Sequence, residues 1–493
     1  MLRRRRYWIA AAAAVAAAVL GWHVVSGRGQ GLRFEAAAPT PEVGEAAKLR
    51  AAARGASLVI CSLDAARADH FGCYGYERET TPSIDRLAEE SVVFRQHFTQ
   101  HVTTKPSVSS LMTGQYPDTH LAYGNRKLAE GTFTLARGLE AAGFRTVLFS
   151  SNPNASPGTG LGLDFQESYD QTDVEPLVGG WEELTKPEPL LALIESWLKK
   201  NGRKRFFAYV HLDPPHQPYL QPGWMTKLFQ GKQPIGFKEG EFAFPVEDRK
   251  MLATCLHPPL PEWINLYDAN LRYGDWAVGE LEKALREAGV FEKTVFIVTA
   301  DHGEAFGEHG YLWHERGVYD ELTHVPLVMR LPGGARAVEE AEALTQTVDL
   351  LPTVCDLLGV RYPREAVQGR SFLPVMAGLE DRVHEHVFSR SDGKPPSYLV
   401  RSGEWALMLW GNGKWRALYD LRADPGQRRN VIAERPEAAA EMVEAFREFA
   451  MGQRRPPVDF LRPGAKLPPL PEDEEVEMTP ELRRQLRALG YVR

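Results

Sequence analysis

SLVICSL, residues 57–63, is a continuous apolar run that is followed directly by Asp64. Such a run is typical of a β-strand that is covered on both faces, as the strands of parallel sheets are. Helical patterns separate this run from similar ones, and the longest of them covers about residues 263–288. The alternation predicts an α/β fold with a mostly parallel central sheet and helices on both faces. The other predicted strands are Thr146–Phe149, Phe206–Leu212, Val295–Thr299 and Val325–Met329.

Polar residues follow three of these strands, at the ends where ligands collect in parallel sheets. Asp64 follows the first strand, Asp213 and His216 follow the third, and Asp301 with His302 follows the fourth. Carboxylate oxygen together with imidazole nitrogen suits Zn or Mn, whereas Ca or Mg, the alternative, prefers carboxylates and amides. We therefore predict a divalent metal held by Asp64, Asp301 and His302.

Residues 101–114, HVTTKPSVSSLMTG, place the hydroxyl of Thr104 directly before a segment that can open a helix. Pro106 suits the first helical position, and the free N–H groups of a first helical turn bind a phosphate- or sulfate-like group. Thr104 is the predicted nucleophile and a further metal ligand, and Lys105 is a predicted substrate contact. Two alternatives stay open, namely Thr104 as a helix N-cap and Thr103 as the attacking residue.

Composition excludes several classes of protein. The 493 residues are 43% hydrophobic and 25% charged, so the chain can bury one large core. The net charge is -7, and Lys and Arg are scattered except at the start, so we expect no nucleic-acid partner. The cysteines lack CxxC spacing and are interpreted as structural thiols rather than metal ligands; they are Cys61, Cys73, Cys255 and Cys355.

The amino terminus carries positive charge before an apolar stretch, MLRRRR followed by residues 7–25. This order predicts a membrane anchor or signal segment over residues 1–25, with the rest of the chain outside the cytoplasm, periplasmic or extracellular. Residues 26–55 are polar and lack sustained periodicity, so they are predicted to form a linker.

The carboxyl-terminal part of the chain has a different pattern from the catalytic α/β domain, which is predicted over residues 56–388. Trp- and Leu-rich runs flank Gly411-Asn412-Gly413, as in an antiparallel hairpin. They predict a subdomain with a small antiparallel sheet over residues 389–453. The Pro- and charge-rich residues 454–493 are predicted to form a tail.

Five motifs occur in a fixed order: LDAARAD at 63–69, TKPSV at 104–108, YVHLDPPHQPY at 209–219, DHGE at 301–304 and QGRS at 368–371. Together they resemble the sulfatase family of the alkaline phosphatase-like superfamily, over roughly residues 57–435. The resemblance implies the alkaline phosphatase-like fold and a metal-dependent ester hydrolase. It also implies that Asp64 binds the metal and that His216 contacts the anion.

The chain departs from the family pattern at four positions or segments. Many sulfatases carry a second Asp at the position of Ala65 and an Arg at the position of Val108, and they convert a Cys or Ser at the position of Thr104 into formylglycine. Thr104 cannot be converted, so no formylglycine is expected; similar Thr-bearing motifs occur in nucleotide pyrophosphatases, phosphodiesterases and lipoteichoic acid synthases, where unmodified Thr attacks phosphorus. After Phe149 the usual Gly-Lys-Trp-His block is replaced by SSNPNAS, in which Asn152 is a predicted substrate contact, with a turn cap as the alternative.

Several histidines follow the predicted metal ligands. His216 is a predicted catalytic or substrate-binding residue, with a structural loop histidine as the alternative. Among His309, His314 and His324, we predict that His314 contacts the anion or protonates the leaving group and that His324 is structural. Arg67 and Asp213 are secondary candidates for the site.

The expected function is hydrolysis of a small-molecule or polymeric sulfate or phosphate ester through a Thr nucleophile and a covalent intermediate. The family favours sulfate esters, whereas the unmodified Thr favours phosphate esters, phosphodiesters or phosphonates. The alternatives are a phosphodiesterase or phospho-group transferase of the cell envelope and, from another class, a non-catalytic binder of a sulfated or phosphorylated envelope polymer. The presence of both the metal-binding residues and Thr104 favours an enzyme, because a binder has no need for a metal-activated nucleophile.

Overall fold

Of the 493 residues, the computed structural model describes residues 44–157, 164–170, 173, 185–234, 260–314, 317–392, 396–410 and 415–454. The predicted anchor, residues 1–25, and the predicted tail beyond residue 454 lie outside these ranges. Among the described helices, none combines the length and the apolar content that a bilayer crossing requires.

Strands and helices alternate through most of the chain, as the sequence predicts. The strands are β1 (Ser57–Leu63), β2 (Val92–Phe94), β3 (His97–Phe98), β4 (Arg145–Ser150), β5 (Glu167–Tyr169), β6 (Phe206–Leu212), β7 (Thr294–Ala300), β8 (Ala305–Phe306), β9 (Leu312–Trp313), β10 (Leu327–Arg330), β11 (Glu340–Ala341), β12 (Thr345–Gln346), β13 (Val387–Ser391), β14 (Ser397–Arg401), β15 (Trp405–Trp410) and β16 (Trp415–Asp420). The helices are α1 (Gly44–Ala53), α2 (Pro82–Ala88), α3 (Thr104–Thr113), α4 (Pro117–His120), α5 (Leu135–Ala141), α6 (Pro187–Asn201), α7 (Gly223–Phe229), α8 (Leu260–Glu287), α9 (Asp320–Thr323), α10 (Leu350–Leu358), α11 (Leu373–Met376) and α12 (Pro436–Met451).

Eight of these strands form the central sheet, in the order β11-β2-β10-β7-β1-β6-β4-β5. The five strands β7, β1, β6, β4 and β5 run parallel, whereas β10 is antiparallel to β7 and β2. The predicted mostly parallel α/β sheet is therefore confirmed. β1 lies in the middle, which explains why all seven of its residues are buried and apolar side chains point to both faces.

Helices cover both faces of the sheet. Leu58 and Ile60 of β1 pack into the apolar cluster shared with α1, α3, α5 and α10. Val59 and Cys61, which point to the opposite face, pack into a second cluster with α2, α6 and α8. The alternating side chains of one strand thus contribute to two cores.

The linker predicted for residues 26–55 ends earlier than expected. Residues 44–53 form α1, and Ala46, Leu49 and Ala53 are buried against the body at helical spacing. Arg50 forms an ion pair with Asp356 of α10. The linker prediction was wrong for residues 44–53. Two alanines and one leucine at helical spacing are enough to pack a short helix against the body.

The small carboxyl-terminal sheet is antiparallel, in the order β13-β14-β15-β16. The predicted hairpin is confirmed by the pairing of β15 with β16, although its Gly-Asn-Gly turn lies outside the described residues. One face of the sheet packs against α12, through Met442 and Phe446. The other face packs against Val102, Val318 and Leu322, which flank the candidate site. This sheet therefore supports the loops of the site from outside.

Candidate metal and nucleophile site

Three adjacent parallel strands end at the same level of the central sheet. Leu63 at the end of β1 pairs with Leu212 of β6 and with Ala300 of β7. Asp64 and Asp301 are the residues directly after β1 and β7, so they leave the sheet side by side. The predicted convergence of these carboxylates on one sheet edge is confirmed.

Asp64, Asp301 and His302 form a buried carboxylate–imidazole cluster. His302 Nε2 lies 3.6 Å from Asp64 Oδ1 and 3.5 Å from Asp301 Oδ2. Within the described part of the chain, neither of these carboxylate oxygens has a hydrogen-bond partner, although both are buried. Buried carboxylate oxygens without partners are costly, and a divalent cation between them would satisfy both. The donor set of these three predicted ligands therefore fits a metal ion.

The orientation of His302 is fixed by the carbonyl of the next residue, Gly303. Its Nδ1 donates to Gly303 O at 2.9 Å, so Nε2 faces the two carboxylates as a lone-pair donor. A side chain at Gly303 would collide with the backbone, since a Cβ there would lie 2.0 Å from Glu321 O. The glycine of the DHGE motif is therefore required for close packing, and this packing positions the imidazole.

Ala65 stands where many sulfatases have a second metal-binding Asp, and its role here is carried by its backbone. Its φ is 59°, in the left-handed region that non-glycine residues rarely adopt. Its N–H donates to Asp301 Oδ1 at 3.2 Å, and its carbonyl accepts from Tyr267 Oη at 2.9 Å. The unusual backbone thereby connects the ends of β1 and β7, and residues in such conformations cluster at functional sites.

His211 belongs to the cluster, although the sequence analysis did not select it. Its Nε2 lies 3.0 Å from Asp64 Oδ2, and its Nδ1 lies 3.1 Å from Tyr209 Oη. Asp64, His211 and Asp301 each place one ligand atom within 4.8 Å of the others. His211 lies inside β6, and the sequence pattern there predicts only a buried apolar strand. A histidine in a fully buried strand, two residues before Asp213, is the signal that could have identified it.

Thr104 is the first residue of α3, and its side chain faces the cluster. Its Oγ1 lies 3.5 Å from His302 Nε2, and the residue is 1% exposed. Thr103 occupies the N-cap position instead, so the alternative of Thr104 as the N-cap is wrong. Pro106 was expected at the first helical position and lies at the third, which is tolerated because the N–H groups of a first turn have no helical acceptor.

His216 and His314 face each other at the edge of the cluster. Their Nε2 atoms lie 3.1 Å apart. His216 Nδ1 contacts Gln217 O, and His314 Nδ1 contacts Val102 O at 3.1 Å. The ring of His314 also stacks on His302, with 4.3 Å between centroids. Both predicted histidines therefore point into the region of Thr104 and the metal ligands.

Two more carboxyl groups are buried beside the cluster. Asp213 Oδ1 and both carboxyl oxygens of Glu304 are buried and have no hydrogen-bond partner among the described residues. Burial raises the pKa of Asp213 well above its usual range, and the carboxylates of Asp64 and Asp301 add to this effect. Burial likewise raises the pKa of Glu304, again with a contribution from Asp64. The region therefore holds more acidic groups than it can keep ionised without added positive charge.

The carboxyl group of Asp64 behaves differently from the others. Burial acts to raise its pKa, but the imidazoles of His216, His211 and His302 together hold it below its usual range. Asp301 has a raised pKa, because burial and then the charge of Asp64 disfavour its ionised form. Asp64 is thus the carboxylate around which the imidazoles gather.

The two predicted substrate contacts at the nucleophile and after β4 have protein partners. Lys105 Nζ donates to Gly124 O at 2.5 Å, and burial lowers the pKa of Lys105 to about 8. The side-chain amide of Asn152 donates to Asp64 Oδ2, while its oxygen accepts from Asn154 N at 2.7 Å. Asn152 is therefore both a turn cap and a neighbour of the predicted metal ligand, and its contact with a substrate stays a prediction.

The remaining candidates lie further from the cluster. His324 stacks on Phe98 and its Nε2 contacts Arg95 O at 2.8 Å, as a structural histidine would. His309 lies 2.8 Å from a carboxylate oxygen of Glu321. Arg67 forms ion pairs with Asp69 and Glu308, and its side chain is 7% exposed. These three residues surround the site without facing Thr104 in any described contact.

The chain is similar in sequence to known families and proteins. The family model described as Sulfatase matches residues 57–360, and the model described as N-sulphoglucosamine sulphohydrolase, C-terminal, matches residues 307–451. The chain is 25% identical over 409 residues to a Delta 4,5-hexuronate-2-O-sulfatase from Bacteroides thetaiotaomicron, covering 73% of this chain and 81% of that protein. It is 26% identical over 365 residues to human Iduronate 2-sulfatase, covering 62% of this chain and 66% of that protein.

Solved structures share the fold at low sequence identity. The phosphonate monoester hydrolase of Agrobacterium radiobacter superposes with a TM-score of 0.67 at 21% identity, over 80% of this chain and 95% of that one. The phosphonate monoester hydrolase from Silicibacter pomeroyi superposes with a TM-score of 0.64 at 22% identity, over 81% and 96% of the two chains. At 21–22% identity this likeness shows a shared fold alone.

Proposed function

The chain belongs to the sulfatase family, and we propose that it is a metal-dependent hydrolase that cleaves a sulfate or phosphate ester with Thr104 as its nucleophile. An ester hydrolase of the sulfuric or phosphoric class follows from the family itself. The nucleophile rests on one observation, the 3.5 Å between Thr104 Oγ1 and His302 Nε2 at the start of a helix and beside the carboxylate cluster. A hydroxyl in that place is next to the predicted metal ligands and to the N–H groups that bind anions.

Asp64, Asp301 and His302 would hold the metal, with His211 and Thr104 as further ligands. Asp64 Oδ1 and Asp301 Oδ2 are the two buried oxygens that such an ion would satisfy. Imidazole nitrogen in the set favours Zn or Mn over Ca or Mg. When bound, the ion supplies Lewis-acid polarisation of the ester and lowers the pKa of a coordinated hydroxyl.

A second divalent cation beside the first is part of the proposal. Asp64, Asp213, Asp301 and Glu304 carry four negative charges when ionised, and one divalent ion offsets two of them. His216, His314 and Asp213 are the residues that would hold the second ion. Two observations support this second ion. The Nε2 atoms of His216 and His314 face each other, and Asp213 Oδ1 is buried without a partner among the described residues.

The chain's own residues account for attack and charge stabilisation. Thr104 Oγ forms the bond to sulfur or phosphorus and gives its proton to solvent, while the alkoxide or phenoxide of the ester leaves from the opposite side and takes a proton from solvent. The first N–H groups of α3 point at the anion and stabilise the charge that spreads over its oxygens. The covalent Thr104 ester is then cleaved by water or passed to an alcohol acceptor.

Phosphoesters and phosphonate esters are the favoured substrates. The hydrated formylglycine of many sulfatases has an elimination route for releasing sulfate, and a threonine sulfate lacks it. Val108, at the position of the usual Arg, is buried in the apolar cluster beneath α3 and leaves that support absent at this position. The unmodified Thr104 and Val108 together favour direct attack of the Thr104 hydroxyl on phosphorus.

Parallel turnover assays test the proposal. Four 4-nitrophenyl substrates should be compared, namely the sulfate, the phosphate, a phosphodiester and phenylphosphonate, each with Zn, Mn, Ca and Mg. We expect the phosphodiester or phosphonate to be the fastest substrate and the activity to disappear after metal removal. Faster turnover of the aryl sulfate would contradict the phosphoester preference, and metal-independent turnover would contradict the cofactor.

The place of the enzyme in the cell is a further part of the proposal, carried by the sequence of residues 1–25. Positive charge before the apolar stretch supports an anchor with the catalytic body outside the cytoplasm. Protease added to intact spheroplasts should then remove the body. Full protection of the body would contradict the export of this enzyme.

A further inference from the structure

A second hydroxyl, that of Thr103, belongs to a separate chain of contacts directly before the nucleophile. Thr103 Oγ1 lies 2.9 Å from His101 Nδ1. His101 Nε2 on the other side of the ring lies 3.3 Å from Asp392 Oδ2. Asp392 follows β13, so the carboxyl-terminal sheet contributes a carboxylate to the nucleophile segment. A hydroxyl, an imidazole and a carboxylate in this order form the arrangement of a nucleophile, its base and the group that orients the base.

The direction of the protons in this chain is set by the backbone. The N–H of Thr103 donates to His101 Nδ1 at 3.2 Å, so Nδ1 is an acceptor and the proton of the neutral ring lies on Nε2. Nε2 lies 3.3 Å from Asp392 Oδ2 without the geometry of a hydrogen bond, so this contact is electrostatic, and the other oxygen of Asp392 accepts from Arg390 Nη2 at 2.7 Å. Burial lowers the pKa of His101, so the ring is neutral and able to accept a proton. The hydroxyl of Thr103 therefore donates its proton to His101, and its oxygen lone pairs can accept a hydrogen bond from another group.

Thr103 is accessible, unlike its neighbours. His101 is 0% and Thr104 1% exposed, whereas Thr103 is half-buried. Thr103 occupies the N-cap of α3, yet its side chain makes no capping hydrogen bond. The helix consequently does not depend on this hydroxyl. Solvent reaches both ends of the relay, Thr103 and Asp392, and Thr103 is the end that directly precedes the nucleophile in the chain.

We propose that Asp392, His101 and Thr103 form a proton relay that activates the water or alcohol which cleaves the covalent Thr104 ester. This inference rests on the proposed function of Thr104. As the oxygen of the incoming molecule bonds to phosphorus and the Thr104 Oγ–phosphorus bond breaks, its proton passes to Thr103 Oγ. The proton of Thr103 passes to His101 Nδ1, and Asp392 stabilises the resulting imidazolium. The proton returns to solvent, and Thr104 Oγ regains one from solvent, which restores the enzyme.

Thr103 is assigned to this second step rather than to the first attack because of its place. Thr104 lies 3.5 Å from His302 Nε2, beside the carboxylate cluster, whereas the contacts of Thr103 are with His101. A base that acts on an incoming hydroxyl must be within reach of solvent, as Thr103 is. The relay thus separates formation of the covalent ester from its cleavage.

Rapid-mixing kinetics of the full-length metal-loaded enzyme with 4-nitrophenyl phenylphosphonate test the relay. In Thr103→Val and Asp392→Asn, the first release of 4-nitrophenol should keep its rate and reach about one equivalent. Steady-state turnover should fall by roughly 100-fold or more, the size of general-base effects. Thr103→Ser should restore turnover, because it keeps the hydroxyl. Thr113→Val, which removes a buried hydroxyl from the other end of α3, is the control for loss of a threonine.

Peptide mapping of quenched samples identifies where the phenylphosphonyl group is held. The relay predicts that it accumulates on Thr104 in Thr103→Val. An adduct on Thr103 of the wild-type enzyme would overturn the relay and make Thr103 the nucleophile. Slowing of the first release to the same degree as steady-state turnover would also overturn it. Thr104→Ala separates the two proposals, since loss of the first release there supports the nucleophile whatever the result for Thr103.

Discussion

The Nε2 atoms of His216 and His314 lie 3.1 Å apart, and each ring directs its Nδ1 at a backbone carbonyl. A carbonyl can only accept, so each Nδ1 carries the proton and each neutral Nε2 is a lone pair. Two lone pairs at this distance repel unless a proton or a cation lies between them. Burial lowers the pKa of both rings, which disfavours the proton, and the second cation that we propose is the alternative.

The first prediction is a metal content near two divalent ions per chain. His314→Ala should lower it to about one, because the first ion has Asp64, Asp301 and His302 as its own ligands. Elemental analysis of protein purified in Zn- or Mn-containing buffer measures this content. His324→Gln is the matched control, since His324 is half-buried, stacks on Phe98 and contacts Arg95 O rather than any of the predicted metal ligands. One ion in the wild type, with no change in His314→Ala, would contradict the second site.

The second prediction concerns His211, which contacts Asp64 from within β6. His211→Gln should weaken metal binding by about 10- to 100-fold or more, because it removes a proposed ligand that also contacts the ligating carboxylate of Asp64, and loss of such a contact alone has an effect of this size. Tyr209→Phe should weaken it less, since it removes only the hydroxyl 3.1 Å from His211 Nδ1 and leaves the imidazole in place. Competition with a metal-binding dye measures both affinities. Equal affinity of His211→Gln and wild type would exclude His211 from the site.

The third prediction is a pH-dependent contribution of Asp275 to stability. The carboxylate of Asp275 in α8 accepts from the backbone N–H groups of Ser83 and Ile84 at the start of α2. Burial raises the pKa of Asp275 from 3.8 to about 6, so the folded state binds its proton more tightly than the unfolded state. Stability from this group is therefore full below pH about 4 and is lost as the pH rises through about 6.

Denaturant unfolding of wild type and Asp275→Asn between pH 4.5 and 7.5 checks this sign. The free energy of unfolding of the wild type should fall relative to the variant as the pH rises, by at most about 3 kcal/mol for a pKa change of this size. Asn cannot ionise, so the variant removes only this titration. A difference that stays constant with pH, or that grows with rising pH, would refute the assignment.

The fold was predictable where apolar runs are continuous. β1 and β6 have the bounds expected from their sequences, Ser57–Leu63 and Phe206–Leu212, because strands covered on both faces carry apolar side chains at most positions. The convergence of Asp64 and Asp301 followed, since parallel neighbours end at one edge. Helix α1 was missed because its buried face consists of Ala46, Leu49 and Ala53, which give almost no amphipathic pattern.

The grouping of the predicted metal ligands Asp64, Asp301 and His302 was predictable, whereas their surroundings were predictable only in part. The DHGE spacing identified Asp301 and His302, but His211 was hidden inside a strand whose other residues are apolar. The contact between Asn152 and Asp64 joins residues 88 positions apart, which a single sequence does not reveal. The proposed relay from Thr103 to Asp392 was not predictable for the same reason. Only tertiary packing brings Asp392, which follows β13, close to His101.

The most direct test of the central claim is the rate of 4-nitrophenol release from 4-nitrophenyl phenylphosphonate by wild type and Thr104→Ala. Loss of the hydroxyl that forms the covalent bond should lower the rate by roughly 1000-fold or more. Folding should be nearly unchanged, since Ala favours the helix and Thr104 is the first residue of α3. Metal content and thermal unfolding close to wild type would establish that the loss is chemical. A Thr104→Ala enzyme that releases 4-nitrophenol at the wild-type rate would contradict Thr104 as the nucleophile.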